Sequence, residues 1–305
     1  MIISASRRTD IPAYYWEWMK NRIKEGFVCV RNSYNEKQVS RVSLSADKID
    51  CYVFWTKNCI PISKSMDILE TVPFYIQHTI TGYGKDIERN LPDKESICKS
   101  FRAISQKFGR NHIIWRYDPI FISPSYTLEW HKETFKKLAS SLADHTIKCT
   151  VSFLDTYGHI MPWMNKNSVR CLSWNEQNDL ISYMADIADQ YGIYIDTCAE
   201  KGTYPRVRHA SCIDKSLCEE ICGYPLNVEK DKTQRKDCGC MTSIDIGFTT
   251  SCLNGCTYCY ATFGQPMNNY KKHNPNSPLL IGEITEDDKV TDRKISSFQA
   301  EPSLF

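Results

Sequence analysis

Short apolar runs alternate with longer segments of helical period through the first two thirds of the chain. The runs Ile2–Ser6, Cys51–Trp55, Phe74–Ile80, His112–Tyr117, Lys148–Phe153 and Ile193–Thr197 read as strands. Between them, helices are expected over Pro12–Lys24, Ile62–Leu69, Lys94–Phe108, Leu128–Leu142 and Glu176–Gln190. Several of these begin on a helix-start pattern: Pro12 after Asp10, Pro92-Asp93 before Lys94, and Ser173 with Glu176 three residues on. A hairpin-like segment, Phe27–Asn32, interrupts the first unit. Strand and helix in strict alternation predict an α/β fold on a parallel sheet, and six such units suggest a full or partial (β/α) TIM-like barrel over residues 1–200.

In that architecture the chemistry sits where strands end. Those ends are polar here: Ser6-Arg7-Arg8-Thr9-Asp10, Thr56-Lys57-Asn58, His78-Thr79, Arg116-Tyr117-Asp118, Asp155, and Asp196 with Cys198 and Glu200. After Glu200 the periodicity stops, and Gly, Pro, Lys and Cys dominate to Cys240. Residues 201–305 are therefore expected to form a ligand-organised, Cys-rich segment packed on the barrel mouth.

Composition narrows the function classes. Thirty-eight Lys and Arg against 36 acidic residues give no reason to expect non-specific binding to nucleic acid. No apolar run approaches the roughly 18 residues of a membrane span, and Met1–Asp10 lacks the apolar core of a secretory signal. A cytoplasmic protein without a membrane partner is expected. Fifteen cysteines then need explaining. Six lie before Cys198 and nine between Cys198 and Cys259. In a reducing compartment, closely spaced thiols favour metal over disulfides. Cys51 and Cys149, inside apolar runs, read instead as small core residues.

The sharpest motif is Cys252-Leu253-Asn254-Gly255-Cys256-Thr257-Tyr258-Cys259, a C-x3-C-x2-C loop. Soft thiolates favour iron–sulfur clusters or zinc. Structural zinc asks for four closed ligands, and this loop offers three. Three thiolates on a [4Fe-4S] cluster leave one iron open, which implies chemistry at the cluster. Cys198, Cys212, Cys238 and Cys240 form a second group able to hold an auxiliary [4Fe-4S] cluster or zinc, and Cys218 and Cys222 could replace either pair. At the strand ends, Arg7, Arg8, Lys57 and Arg116 are candidates for neutralising a carboxylate or phosphate. Asp10, Asp118 and Glu200 could bind an ammonium or ribose hydroxyls, and Tyr117, Tyr157 and Tyr258 could relay radicals.

The cysteine loop, with Tyr258 just before its last cysteine, resembles the radical S-adenosylmethionine superfamily. The resemblance implies a cluster whose open iron chelates S-adenosylmethionine and reduces its sulfonium to release a 5′-deoxyadenosyl radical, with a flavodoxin or ferredoxin as reducing partner. In that superfamily the loop follows the first barrel strand. Here it follows six β/α units, so a circularly permuted barrel is implied, with Asp245–Phe248 as the strand leading into the loop. Gly282-Glu283 lacks the first glycine of the superfamily's Gly-Gly-Glu element, and that role is not carried over. Thr56-Lys57, Thr79–Thr81 and Arg116 loosely resemble strand ends of the spore photoproduct lyase branch. Ser6–Pro12, Trp55–Asn58, Arg116–Pro119, Cys238-Gly239-Cys240, Asp245–Gly247 and Cys256–Ala261 are similar to the bacterial family called domain of unknown function 1848. Its members look like iron–sulfur proteins with no established substrate. Two rival functions remain: a non-catalytic iron–sulfur electron-transfer or redox-sensing protein, and a zinc-stabilised nucleic-acid-binding module, which near-zero net charge disfavours.

Overall fold

A computed structural model describes residues 1–301. Its first half contains strands β1 (Ile2–Ala5), β2 (Phe27–Arg31), β3 (Gln38–Ser43), β4 (Cys51–Thr56), β5 (Phe74–Thr79) and β6 (Ile113–Ile120). Between these lie helices α1 (Ile11–Tyr14), α2 (Trp16–Glu25), α3 (Ile60–Ser63) and α4 (Lys94–Phe108). The second half adds α5 (Leu128–Leu142), β7 (Lys148–Phe153), α6 (Met161–Lys166), α7 (Trp174–Asp189), β8 (Tyr194–Thr197), β9 (Arg208–His209), α8 (Lys215–Cys222), β10 (Ile244–Asp245), α9 (Pro266–Tyr270) and β11 (Lys289–Asp292).

Eight strands form one parallel sheet in the order β10-β1-β4-β5-β6-β7-β8-β9. Alternation along each strand gives the sheet two buried faces. Tyr52, Phe54, Phe74, Ile76, Trp115 and Val151 pack beneath the helices, against residues such as Trp18, Phe101, Phe135 and Met184. Cys51, Val53, Tyr75 and Ile114 point the other way, onto Cys212, Ile213, Leu217, Cys218, Cys238 and Cys240. The Cys-rich segment is therefore part of the core: it covers the face that the helices leave open and adds β9 and β10 at the two edges of the sheet. Its loops are cross-tied where Met241 N donates to Ile213 O (3.1 Å) and Ser211 Oγ to Gly239 O (2.5 Å).

The sequence-derived strands fall on observed ones, and the helices over Lys94–Phe108 and Leu128–Leu142 have the expected bounds. Departures have local causes. The first helix breaks at Tyr15, because Tyr14 and Tyr15 turn their hydroxyls towards the cysteine loop, bonding Asn254 Oδ1 (2.9 Å) and Ser251 O (2.6 Å). The helix expected over Ile62–Leu69 is one turn begun by Pro61 and a separate 3₁₀ turn, Asp67–Thr71, where the Ser63 and Ser65 hydroxyls bond to backbone carbonyls. The hairpin at Phe27 pairs β2 with β3, and β11 joins β3 to make a second, three-stranded sheet. The strand expected at Asp245–Phe248 begins one residue earlier and spans Ile244–Asp245, parallel to β1.

Candidate metal centre

A cavity of about 360 Å³ opens at the C-terminal ends of the central strands. All seven thiols of the two predicted sets line it: Cys252, Cys256 and Cys259 from the loop, and Cys198, Cys212, Cys238 and Cys240 from the upstream segment. Arg7, Arg8, Asp10, Lys57, Arg116, Asp118, Tyr157 and Tyr258 also line it. Glu200 does not. Its carboxylate accepts a hydrogen bond from Phe153 N (2.9 Å), and burial pushes it up to about 7. Tyr117 faces the helices and bonds His131 Nδ1 (2.9 Å). Cys218 is buried beside Cys51 on the lower part of the sheet, and Cys222 lies against Tyr224, so neither substitutes for a cavity thiol. The Glu283 carboxylate is held by Asn274 Nδ2 (2.9 Å), away from the cavity lining.

The cysteine loop is fixed from two sides. Asp10 caps α1 at Ala13 N (3.0 Å), and its other oxygen accepts from Lys57 N (2.9 Å) and Asn254 Nδ2 (2.8 Å). One carboxylate thus ties the ends of β1 and β4 to the middle of the loop, and both its oxygens are occupied, so it positions the loop and is not available to a ligand's ammonium. On the other side the segment after β5 zips onto the loop, with Thr257 N bonded to Ile87 O (3.0 Å) and Asn90 N to Asn254 O (3.0 Å). Gly255 lies between these attachments at φ +68°, where a Cβ would stand 3.0 Å from Asn90 Nδ2. Asp10→Asn is expected to cost about 1–3 kcal/mol, since an amide turns its NH₂ towards a donor in either orientation. An unchanged urea midpoint would remove Asp10 from this role.

Beneath the loop lies a buried carboxylate that the sequence reading passed over. Glu88 is 1 % exposed and accepts from Lys57 Nζ (3.0 Å), Thr81 Oγ1 (2.9 Å), Lys94 Nζ and Tyr258 OH. Burial favours its neutral form, but the ammonium groups of Lys57 and Lys94 outweigh it and hold the carboxyl at about 2. Lys57 in turn lies 5.3 Å over the Tyr258 ring, with Cys256 close enough to feel its charge. Burial pushes the Cys256 thiol up to about 12 against that charge. One of several acidic residues in a polar loop, Glu88 gives little in sequence to single it out from Asp86 and Asp93.

The four-thiol set has a different environment. Cys198 Sγ and Cys212 Sγ are 3.0 Å apart, Arg116 Nη1 donates to Cys212 Sγ (2.8 Å), and Ile213 N donates to Cys240 Sγ (3.4 Å). Hydrogen bonds from Cys198 and Cys240, joined by the Arg116 guanidinium, overcome burial and hold Cys212 well below the usual thiol range. Arg116 is itself aligned by Asp118 (2.7 Å), which Ser152 Oγ also contacts. Arg7 lies near the same thiols, its guanidinium 5.4 Å over the Trp55 ring and its buried Nε without a partner. Arg8 is committed to Asp245, 3.0 Å away. Asp245 also accepts from Ser4 Oγ, Ser6 Oγ, Arg7 N and Gly247 N, so this residue of the two-residue edge strand organises the whole end of β1. Of the four cations proposed for an anionic ligand, Arg7 is the one with a buried, unpartnered donor at the cavity.

Among the described residues, no three His, Cys, Asp or Glu side chains form a ready cage for a single metal ion. The donor chemistry nevertheless suits a thiolate-bound metal centre: seven thiols face one cavity, soft ligands of the kind that hold iron–sulfur clusters or zinc, and Arg116 donates to one of them.

The family model described as domain of unknown function (DUF1848) matches residues 2–261. The chain belongs to this family. No curated protein matches it. The span shared with the DUF1848 family runs from the start of β1 to just past Cys259 and so contains both thiol sets, Glu88 and Asp245, while α9 and β11 lie beyond it.

Proposed function

We propose that the protein is an iron–sulfur enzyme of the radical S-adenosylmethionine type, built on a partial, circularly permuted (β/α) barrel. The observation that carries this reading is the convergence of the three-cysteine loop and the four-thiol set on one cavity at the C-terminal ends of parallel strands. The succession β1-β4-β5-β6-β7-β8 supports the barrel, because each new strand is added on the same side and the helices that connect these strands pack on one face. A doubly wound sheet would reverse its order midway. Strand β10, which leads into the cysteine loop, lies beside β1 although it is the last strand of this sheet in sequence, as a permuted first strand would.

Cys252, Cys256 and Cys259 would hold a [4Fe-4S] cluster with one iron left for S-adenosylmethionine, and the bound cluster would supply the reducing electron. Cys198, Cys212, Cys238 and Cys240 would hold the auxiliary cluster. The chain's own residues do the rest. Asp10, Asn254 and the Ile87–Asn90 segment keep the loop in place, and Arg7 offers its guanidinium to an anionic group of the ligand. Arg116, aligned by Asp118, offsets negative charge on the four-thiol set.

Anaerobically purified protein is expected to be brown and iron-replete. After reduction, added S-adenosylmethionine should yield 5′-deoxyadenosine, and Cys256→Ala should abolish that product. A colourless, zinc-containing protein would refute the proposal. Iron without 5′-deoxyadenosine would favour the electron-transfer reading.

A further inference from the structure

We propose that Arg235 is the anchor for a carboxylate group of the substrate, and that Asp155 keeps its place until the substrate arrives; this rests on the enzyme reading above and narrows its substrate to a carboxylic acid. Arg235 and Asp155 both line the cavity, and their side chains form an ion pair at its mouth. Only Nη1 of the guanidinium is engaged. Among the described residues, Nε and Nη2 of Arg235 have no protein acceptor.

The other cations of the cavity are committed more deeply. Lys57 pairs with buried Glu88, Arg8 bonds both the side chain and the carbonyl of Asp245, and buried Arg116 bonds Cys212 and Asp118. Arg7 lies over Trp55 beside the four-thiol set. The side chains of Arg235 and Asp155 are instead 58 % and 51 % exposed. An ion pair that water reaches contributes little, so it exchanges readily. An incoming carboxylate restores what Arg235 loses, while Asp155 turns to water. The group already on Arg235 is a carboxylate, and the free N–H groups allow a substrate the two parallel bonds that a guanidinium offers that group.

The pair also latches an arch. Residues 231–238 are tied mostly to themselves: Asp231 accepts from Thr233 N (2.9 Å), Thr233 Oγ1 (2.6 Å) and Gln234 Nε2 (3.4 Å), and Lys230 Nζ donates to Lys236 O (2.7 Å). Among the described residues, the bond from Arg235 to Asp155 is the one hydrogen bond or ion pair by which residues 232–237 reach beyond 229–240. Cys238 N donates to Arg235 O (2.9 Å), so the arch carries the anchor together with a proposed ligand of the four-thiol set. From Asp155 the contacts run on to the cysteine loop. Tyr157 OH donates to Asp155 Oδ2 (3.4 Å), the Tyr157 ring lies 6.0 Å from that of Tyr260, and Tyr260 OH donates to Arg7 O. A carboxylate held by Arg235 thus leaves the rest of a small substrate in the cavity that both thiol sets line.

Asp155→Asn and Arg235→Gln, made in the full chain and purified anaerobically, separate the anchor from the latch. Both variants lose the ion pair, so hydrogen exchange across residues 232–237 is expected to quicken about twofold to fivefold in each. Exchange across α4, residues 94–108, should stay as in wild type. Sodium acetate, compared with sodium chloride at the same ionic strength, is expected to slow exchange again in Asp155→Asn and to leave Arg235→Gln fast. Unchanged exchange at 232–237 in both variants would overturn the proposal. So would acetate acting no better than chloride, acting equally on the two variants, or falling short of inorganic phosphate. Slowing of Arg235→Gln by methylammonium would overturn it too, by assigning a cationic group to Asp155. Iron is measured on the same samples. Wild-type protein without iron would refute the iron–sulfur reading, whereas iron-replete protein on which acetate has no effect would remove the anchor and leave that reading intact.

Discussion

Glu88→Gln is expected to lower the folding free energy by about 3 kcal/mol, the lower end of what losing one partner of a buried ion pair costs. The change is nearly isosteric, so packing is preserved. What is lost is, among the described residues, the one carboxylate paired with both Lys57 and Lys94, whose side chains are 15 % and 28 % exposed. Lys94 can turn to water, which sets the lower end of the range. Lys57 cannot do so as readily, because its backbone is held by Asp10 and its ammonium lies over Tyr258. The Tyr258 hydroxyl loses its charged acceptor at the same time. Urea unfolding at neutral pH checks this, and a loss below about 1 kcal/mol would mean that the network contributes little.

The pH dependence gives an independent check. The folded carboxyl titrates near 2, below its ordinary value of 4.5. A group with a depressed folded pKa stabilises fully above the unfolded value, and this stabilisation fades as pH falls through the folded one. The stability difference between wild type and Glu88→Gln should therefore be constant above pH ~5 and shrink as the pH drops towards ~2. A gap that persists in acid would assign the effect to packing.

Cys212→Ala is expected to halve the iron content, from about eight to about four atoms per chain if both thiol sets hold [4Fe-4S] clusters. Cys212 is the hub of its set. Its sulfur contacts Cys198 and Arg116, and Cys240 lies within reach of the same sulfur. Its backbone carbonyl separately accepts from the Tyr75 hydroxyl (2.7 Å) and Gln77 Nε2 (3.0 Å), and these bonds survive truncation of the side chain. The segment should stay in place while losing its ligand. Metal analysis of anaerobic preparations decides the matter. Loss of zinc with iron unchanged would make this set a zinc site, and metal content equal to wild type would show that the set binds neither.

Period and composition along the chain carried much of the architecture. A parallel sheet can be read locally because its strands are short apolar runs and its helices show a 3.6-residue stripe; α4 and α5 begin at Asp93 and Thr127, whose side chains cap the first turn. The cysteine loop was legible for the same reason, since three cysteines within eight residues need no tertiary structure to be seen together. What escaped depends on residues far apart. The bond from Tyr258 to Glu88 joins positions 170 residues apart, and those from Asp245 to the end of β1 span well over 200. No local pattern marks a carboxylate whose partners arrive from another strand end. Tertiary structure alone also separated the candidate polar residues, committing Asp10 and Arg8 to internal partners and moving Glu200 out of the lining while leaving Arg7 a buried, unpartnered donor. Most of all, it decided that the Cys-rich segment, with its helix α8, lies across the second face of the sheet and brings its four thiols to the cavity of the loop, because that face was apolar and the helices between the strands all cover the other one.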